Sequence, residues 1–259
     1  MKKKLKTKIN IFRIAFKTAF NKEYKRGLEK SLLELEKNPK RTEIINYLLS
    51  TFIGETNYLE IGVRNPEHNF KHIKSTIKKS VDPGIEREVN EADFKMTSDE
   101  FFDHLRKKDV DKVPKYNVIF IDGLHLAEQA NRDIINAMQF IDDYGYIILH
   151  DCNPPTFWHA RENYADRITP ARALWNGTTW KAFFKWRANP AVHSCCIDTD
   201  FGIGILSKKQ NIGKATNLQN EFYEFDKLET SKKEYLGLIS FSELQNRLNA
   251  SKIDSSYSS

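Results

Sequence analysis

Four short stretches combine acidic or imidazole side chains with the ends of apolar runs: Glu60-Ile61-Gly62, Asp82, Asp122-Gly123-Leu124-His125 and His150-Asp151. Carboxylates and imidazoles gathered in one place can move protons, bind hydroxyls or hold a divalent cation. A hydroxyl is a poor nucleophile at neutral pH; a cation lowers its pKa and a nearby imidazole takes the proton. His125, three residues beyond Asp122, is placed to open the next helix into the same space. Each has a plainer reading: a helix N-cap for Asp122, a hydrogen-bonding structural histidine for His125. A transition metal held by His125 and His150 is a further alternative. Gly62 permits close backbone approach. Asp82, 20 residues further on, can accept both ribose hydroxyl protons of an adenosine-containing ligand, although an Asp before Pro83 also makes a turn.

The elements that must position these residues follow from hydropathy. Residues 58–63 and 116–123 are apolar runs that read as buried strands. Residues 80–84 end another strand, 93–97 suggest a third, and 145–151 a further one. Helices are expected at 66–78, 98–108 and 125–141, the last with Ala130, Ile134, Ala137, Met138 and Ile141 inward. Alternating strands and helices imply an α/β, doubly wound, mostly parallel sheet with right-handed crossovers. Residues 195–198 and 201–206 suggest an antiparallel hairpin closing one edge of that sheet. Helix is expected over 1–30 and again over 28–53, with Leu32, Leu33, Leu35, Ile44, Ile45, Leu48 and Leu49 as apolar contacts. In such a sheet ligands bind beyond the carboxyl ends of the strands, so the four stretches would share one rim.

The loop after Gly62, Val-Arg-Asn-Pro-Glu-His-Asn, lacks the further glycines of a dinucleotide fingerprint. That disfavours NAD, whose pyrophosphate needs them, more than S-adenosylmethionine, which has no phosphate. The order Leu-Glu-Ile-Gly, Val-Asp-Pro, Val-Ile-Phe-Ile-Asp-Gly-Leu-His, Ile-Leu-His-Asp resembles the class I S-adenosylmethionine-dependent methyltransferases. More narrowly it resembles the bacterial group related to macrocin-type sugar O-methyltransferases, over roughly residues 55–206. The resemblance implies that Glu60 and Gly62 belong to the cofactor loop, that Asp82 binds the ribose, and that Thr97 and Ser98 lie by the adenine. It implies Asp122 beside the cofactor and, with Asp151, as carboxylate ligands of Mg²⁺, and His125 as general base. His150 stands where a relative carries an acid, within reach of the acceptor. The implied activity is O-methylation of a sugar or glycan-precursor hydroxyl, in polysaccharide or antibiotic glycan assembly. Alternatives keep the cofactor but take a phenolic or nitrogen nucleophile of a small metabolite, or make the domain a non-catalytic, membrane-recruited binding protein.

Residues 152–192 hold all four tryptophans, Trp158, Trp175, Trp180 and Trp186. Trp175 and Trp180 are candidates for an acceptor pocket, since aromatic faces stack on sugar rings; packing of a lid or dimer contact is the alternative. The chain divides into a basic helical extension (1–53), a cofactor-binding domain (54–210) and a C-terminal extension (211–259) whose polar end is expected to be disordered. Its 259 residues carry a net charge of +6, and residues 1–30 alone hold eleven Lys or Arg against two Glu. The basicity therefore belongs to an N-terminal arm, which argues against a nucleic-acid face. That arm has amphipathic helix spacing at Ile11, Ile14, Ala15, Ala19 and Phe20, with Phe12 and Phe16 alongside. It suits packing on the domain, on a second subunit in a homo-oligomer, or on an anionic membrane. Three cysteines without CxxC spacing, no apolar run of 18 and no signal-peptide pattern fit a cytoplasmic protein, with contact at the inner membrane face allowed.

Overall fold

The computed structural model describes residues 9, 12, 13, 15, 16, 20–108 and 115–256. A single seven-stranded sheet runs through it, with β1 at Asn57–Ile61, β2 at Ile77–Val81, β3 at Tyr116–Ile121, β4 at Ile141–Leu149, β5 at His193–Ile197, β6 at Ile203–Ser207 and β7 at Leu238–Ile239. The order is β2-β1-β3-β4-β6-β5-β7. Strands β2, β1, β3 and β4 pair in parallel, β6 is antiparallel to both β4 and β5, and β7 is parallel to β5. The chain moves one way from β1 to β2 and the other way from β3 to β4, so the direction of winding reverses between β1 and β3. This is the doubly wound α/β fold expected from the alternation of strands and helices.

Alternate strand residues feed two core layers, as the period of two requires. Leu59, Ile61, Ile119, Ile121, Ile147 and Leu149 face one layer, covered by α3 (Ser98–Lys107), α4 (Ala127–Phe140) and α5 (Thr179–Arg187). Tyr58, Val118, Phe120, Tyr146 and Ile148 face the other, covered by α2 (Arg41–Leu49) and α8 (Phe241–Ser256). Between these, α6 (Phe225–Thr230) and α7 (Lys232–Leu236) bury Leu228 and Leu236 against the first layer.

Several local expectations are corrected. Residues 93–97 form no strand; Phe94 makes an isolated bridge to Val81, and the Asp93 carboxylate takes the Ser80 amide and hydroxyl instead of a backbone ladder. Residues 66–78 give two short 3-10 turns, Pro66–His68 and Phe70–His72, before β2 begins. The helix expected over 28–53 breaks into α1 (Lys22–Glu36) and α2, because Pro39 cannot donate to a helical ladder. Leu32, Leu33 and Leu35 are exposed, and the buried side of α1 is Tyr24, Gly27, Ser31 and Glu34. Close approach decides this: a Cβ on Gly27 would lie 2.8 Å from Pro170, and only small or hydrogen-bonding residues fit there. The β5–β6 hairpin is present but does not close the edge, since β7 pairs outside β5. The expected disorder of the last residues, and Ile11, Ile14 and Ala19 of the arm, lie outside the described residues.

Candidate active site

A crevice of about 540 Å³ opens beyond the carboxyl ends of the strands, at β1 and β3, where the direction of winding reverses. Its walls include Glu60, Gly62, Asp82, Thr97, Ser98, Asp122, His125, His150, Asp151 and Trp175. Ten of the residues singled out in the sequence are thus brought together. Trp180 is not among them: it is 1% exposed, in the core, with its ring against Tyr223 and Phe225. Helix α5 turns this one tryptophan inward, which composition could not specify.

Gly62 has φ +90°, and a Cβ there would sit 2.2 Å from the Asp122 carbonyl oxygen and 2.5 Å from Gly123 Cα. The glycine is required by the approach of the β1 and β3 ends to each other. Asp82 fills its turn role, with Oδ1 accepting from the Gly84 amide at 2.6 Å, while lining the crevice. Thr97 caps α3 in a box with Glu100, and Ser98 donates to Asp133 Oδ1 at 2.6 Å. Burial pushes Asp133 up to about 6, against the pull of Ser98 and Gln129. Glu60 is buried and accepts from Tyr58 Oη at 2.6 Å and from Asn69 Nδ2 at 2.9 Å, both on Oε2. Burial raises it to about 7, with those two donors opposing. Its Oε1 takes no donor among the described residues.

The acid–imidazole cluster lies across the crevice. His125 Nδ1 is 2.9 Å from the Trp175 carbonyl and 3.0 Å from Asp151 Oδ2, and Nε2 is 3.4 Å from Asp122 Oδ1. Two acceptors at Nδ1 fix that nitrogen as the donor. Burial alone would lower the His125 pKa, but Asp151 and Asp122 outweigh it and hold the ring at about 10. His150 Nδ1 lies 3.2 Å from Asp122 Oδ1 and 3.0 Å from Asp151 Oδ2. Its Nε2 is 2.7 Å from the Arg41 guanidinium and 3.6 Å from Asp200 Oδ2; burial and Arg41 oppose a charge on the ring, but Asp151 and Asp122 push its pKa well above the usual imidazole value. Burial opposes ionisation of both acids, yet His150, His125 and Arg41 hold Asp122 well below the usual carboxylate range, and the two histidines lower Asp151 as well. Asp151 has φ +61°, a strained conformation for a residue with a Cβ, held where the strand end must aim its carboxylate inward.

The segment 152–192 is tied to the His125 loop. The Trp175 ring stacks on His125 at 5.1 Å with planes 11° apart, and Thr178 donates its amide to the His125 carbonyl at 2.7 Å. Thr178 Oγ1 also caps α4 by accepting from Ala127 at 2.8 Å. Tyr164 stands beside Trp175 at 5.2 Å on the crevice wall.

Sequence reasoning missed Arg41, Asp200, Tyr58 and Asn69. Arg41 begins α2 and reaches the crevice, and Asp200 Oδ2 accepts from its backbone amide at 3.0 Å and lies 3.4 Å from its guanidinium. Asp200 sits on the β5–β6 turn, where 200, 201 and 202 all have positive φ. Glu34 of α1 holds that turn by accepting from the Phe201 amide at 2.9 Å. Tyr58 was legible, because residues two apart on a strand share a face. Nothing in the sequence near Arg41 marks it.

Residues 30–152 match the family described as "Methyltransferase domain". The matched segment covers just under half of the chain. The match marks the protein as a methyltransferase. No curated protein matches the chain. An O-methyltransferase from Bacillus cereus, solved in complex with SAH, is 15% identical over 75% of this chain and 96% of its own, with a TM-score of 0.42. The plantazolicin methyltransferase BpumL, in complex with a pentazolic desmethylPZN analog and SAH, is 14% identical over 80% of this chain and 99% of its own, with a TM-score of 0.42. The MycE methyltransferase of the mycinamycin biosynthetic pathway, in complex with Mg, SAH and mycinamycin VI, is 13% identical over 73% and 53%, with a TM-score of 0.39. None of these is close enough to carry an argument about the acceptor.

Proposed function

We propose that this methyltransferase acts on oxygen, that its acceptor is a hydroxyl of a sugar or glycan precursor, and that a divalent cation assists. The observation that carries the proposal is the convergence of Asp122, His125 and Asp151, whose potential ligand atoms lie within 4.8 Å of one another at the crevice. The donor set fits a hard cation. Asp122 Oδ1 and Asp151 Oδ2 are taken by the histidines, but Asp122 Oδ2 and Asp151 Oδ1 have no hydrogen-bond partner among the described residues. Two open carboxylate oxygens are what magnesium takes from a protein, the rest being water and substrate. When bound there, a divalent cation supplies positive charge that orients and acidifies the acceptor hydroxyl.

The chain's own residues supply the remainder. Gly62 and Glu60 form the cofactor wall, and the unengaged Glu60 Oε1 can accept from the ammonium of S-adenosylmethionine. Asp82 takes the ribose hydroxyls, and Thr97 and Ser98 flank the adenine. The acceptor oxygen attacks the methyl carbon in line, the carbon–sulfur bond breaks, and S-adenosylhomocysteine leaves. His125 takes the hydroxyl proton at Nε2, because Nδ1 is already committed to Trp175 and Asp151. As they stand the carboxylates keep His125 protonated at neutral pH, so the base role depends on extra positive charge beside them. Trp175 and Tyr164 offer ring faces to a sugar, and His150 lines the same crevice.

The test is calorimetry with S-adenosylhomocysteine and with NAD, followed by methyl transfer to a panel of sugar nucleotides, phenols and amines, with and without chelator. The expected outcome is binding of the first ligand alone, turnover on sugar hydroxyls, and loss with chelator restored by Mg²⁺. His125→Ala should lower turnover by about 10²–10⁴ with cofactor affinity kept. Turnover on amines alone, insensitive to chelator, overturns the acceptor and metal assignments.

A further inference from the structure

The described residues of the N-terminal arm, Ile9, Phe12, Arg13, Ala15, Phe16 and Phe20, are helical and all exposed. Phe12 is 73% exposed, Phe16 58% and Phe20 76%, and Ile9 is 47% exposed. At 100° per residue, positions 9, 12, 16 and 20 fall within about 80° of one another around the axis, so the four apolar side chains share one stripe. The Phe16 and Phe20 rings touch at 4.8 Å, and Phe12, Arg13 and Phe16 border a shallow depression with Ile168. A stripe of three phenylalanines held in water is not how a helix packs onto its own domain. Among the described residues only Ile168 of the domain borders the stripe, so packing on the domain leaves most of it uncovered.

Charge decides between a second subunit and an anionic membrane. Residues 1–20 hold seven Lys or Arg and no Asp or Glu. A second copy would set two such segments against each other, and like charges brought together repel. An anionic phospholipid surface meets both features at once: aromatic side chains enter the boundary between headgroups and acyl chains, and lysines pair with lipid phosphates. We propose that this arm docks the enzyme on an anionic phospholipid surface, with Phe12, Phe16 and Phe20 inserted and the surrounding cations at the headgroups. The proposal is independent of the acceptor assigned to the crevice.

The experiment is co-sedimentation of the full chain with vesicles of phosphatidylcholine and phosphatidylglycerol at 3:1, and with pure phosphatidylcholine, at low and high salt. The wild type should partition onto anionic vesicles at least tenfold better than onto neutral ones, and salt should release it. Phe12→Ser with Phe16→Ser should cut anionic partitioning at least tenfold. Because both rings are exposed, the melting temperature and S-adenosylhomocysteine affinity should stay at the wild-type values. Arg13→Glu with Lys17→Glu should abolish the preference for anionic lipid. Light scattering is run on the same samples. If the wild type is an oligomer that the Phe pair disperses while neither variant changes vesicle binding, the stripe joins two copies and the proposal fails. Equal binding to neutral and anionic vesicles, or none to either, overturns it as well.

Discussion

Replacing Gly62 by alanine tests whether the convergence of β1 and β3 builds the crevice. The added Cβ would lie 2.2 Å from the Asp122 carbonyl oxygen and 2.5 Å from Gly123 Cα, both backbone atoms that no rotamer change can move. Ordinary contact begins near 3.4 Å, so the strand ends must part by about 1 Å. The φ of +90° adds roughly 1–2 kcal/mol for any residue with a Cβ. Together with the forced separation, a loss of ~3–5 kcal/mol of stability is expected. A shift of about 1 Å at Asp122 should further lower turnover by ~10² in whatever protein remains folded. Gly123→Ala is the control: its Cβ would meet only Ile61 Cγ2, at 3.6 Å, and the change should cost under ~1 kcal/mol. Urea denaturation and titration with S-adenosylhomocysteine are the assays. Equal stability and affinity for the two variants would refute the reasoning.

The remaining expectations concern single side chains. Asp82→Asn keeps an acceptor for the Gly84 amide but loses the charge that would meet the ribose, so calorimetry should give a roughly tenfold weaker S-adenosylhomocysteine complex with unchanged stability. Asp200→Asn leaves a partner for the Arg41 amide but weakens the hold on its guanidinium, and through it on His150. Turnover should fall about tenfold, with cofactor affinity altered less than twofold, in steady-state kinetics. Burial raises Asp133 from 3.8 to about 6, so its proton is held more tightly folded than unfolded, and stability is lost as pH rises between those values. Asp133→Asn has no such loss, and its stability relative to wild type should grow between pH 4 and pH 7 by at most ~3 kcal/mol in chemical denaturation; a pH-independent difference would contradict the assignment.

The parts of the fold that were legible are those in which local pattern and burial agree. Strands β1, β3 and β4 are apolar runs because both of their faces are covered, and the acids and glycines ending them mark the crevice. The parts that were not legible depend on partners far along the chain. Arg41 acquires meaning only from Asp200 and His150, 159 and 109 residues away. The buried side of α1 is set by Gly27 against Pro170 and by Tyr24 donating to the Thr169 carbonyl, so its leucines point outward against hydropathy. Trp175 and Trp180 look alike in a tryptophan-rich segment, but Trp175 lies ahead of α5 and stacks on His125, while Trp180 lies on the buried side of α5. Residues 93–97 have strand composition, yet Asp93 competes for the Ser80 amide and leaves a single bridge.

Strand β6 lies between β4 and β5 and runs against both. A polypeptide emerging from the ribosome has made Gly62, Asp82, Asp122 and Asp151 well before Ile203–Ser207 exists. Until then β4 presents an unpaired, largely apolar border, and Arg41 has no Asp200 to steady it. Synthesis therefore passes through a stage in which the acids of the crevice are in place beside an open sheet margin, and any helper that shields this enzyme during translation has that margin to cover.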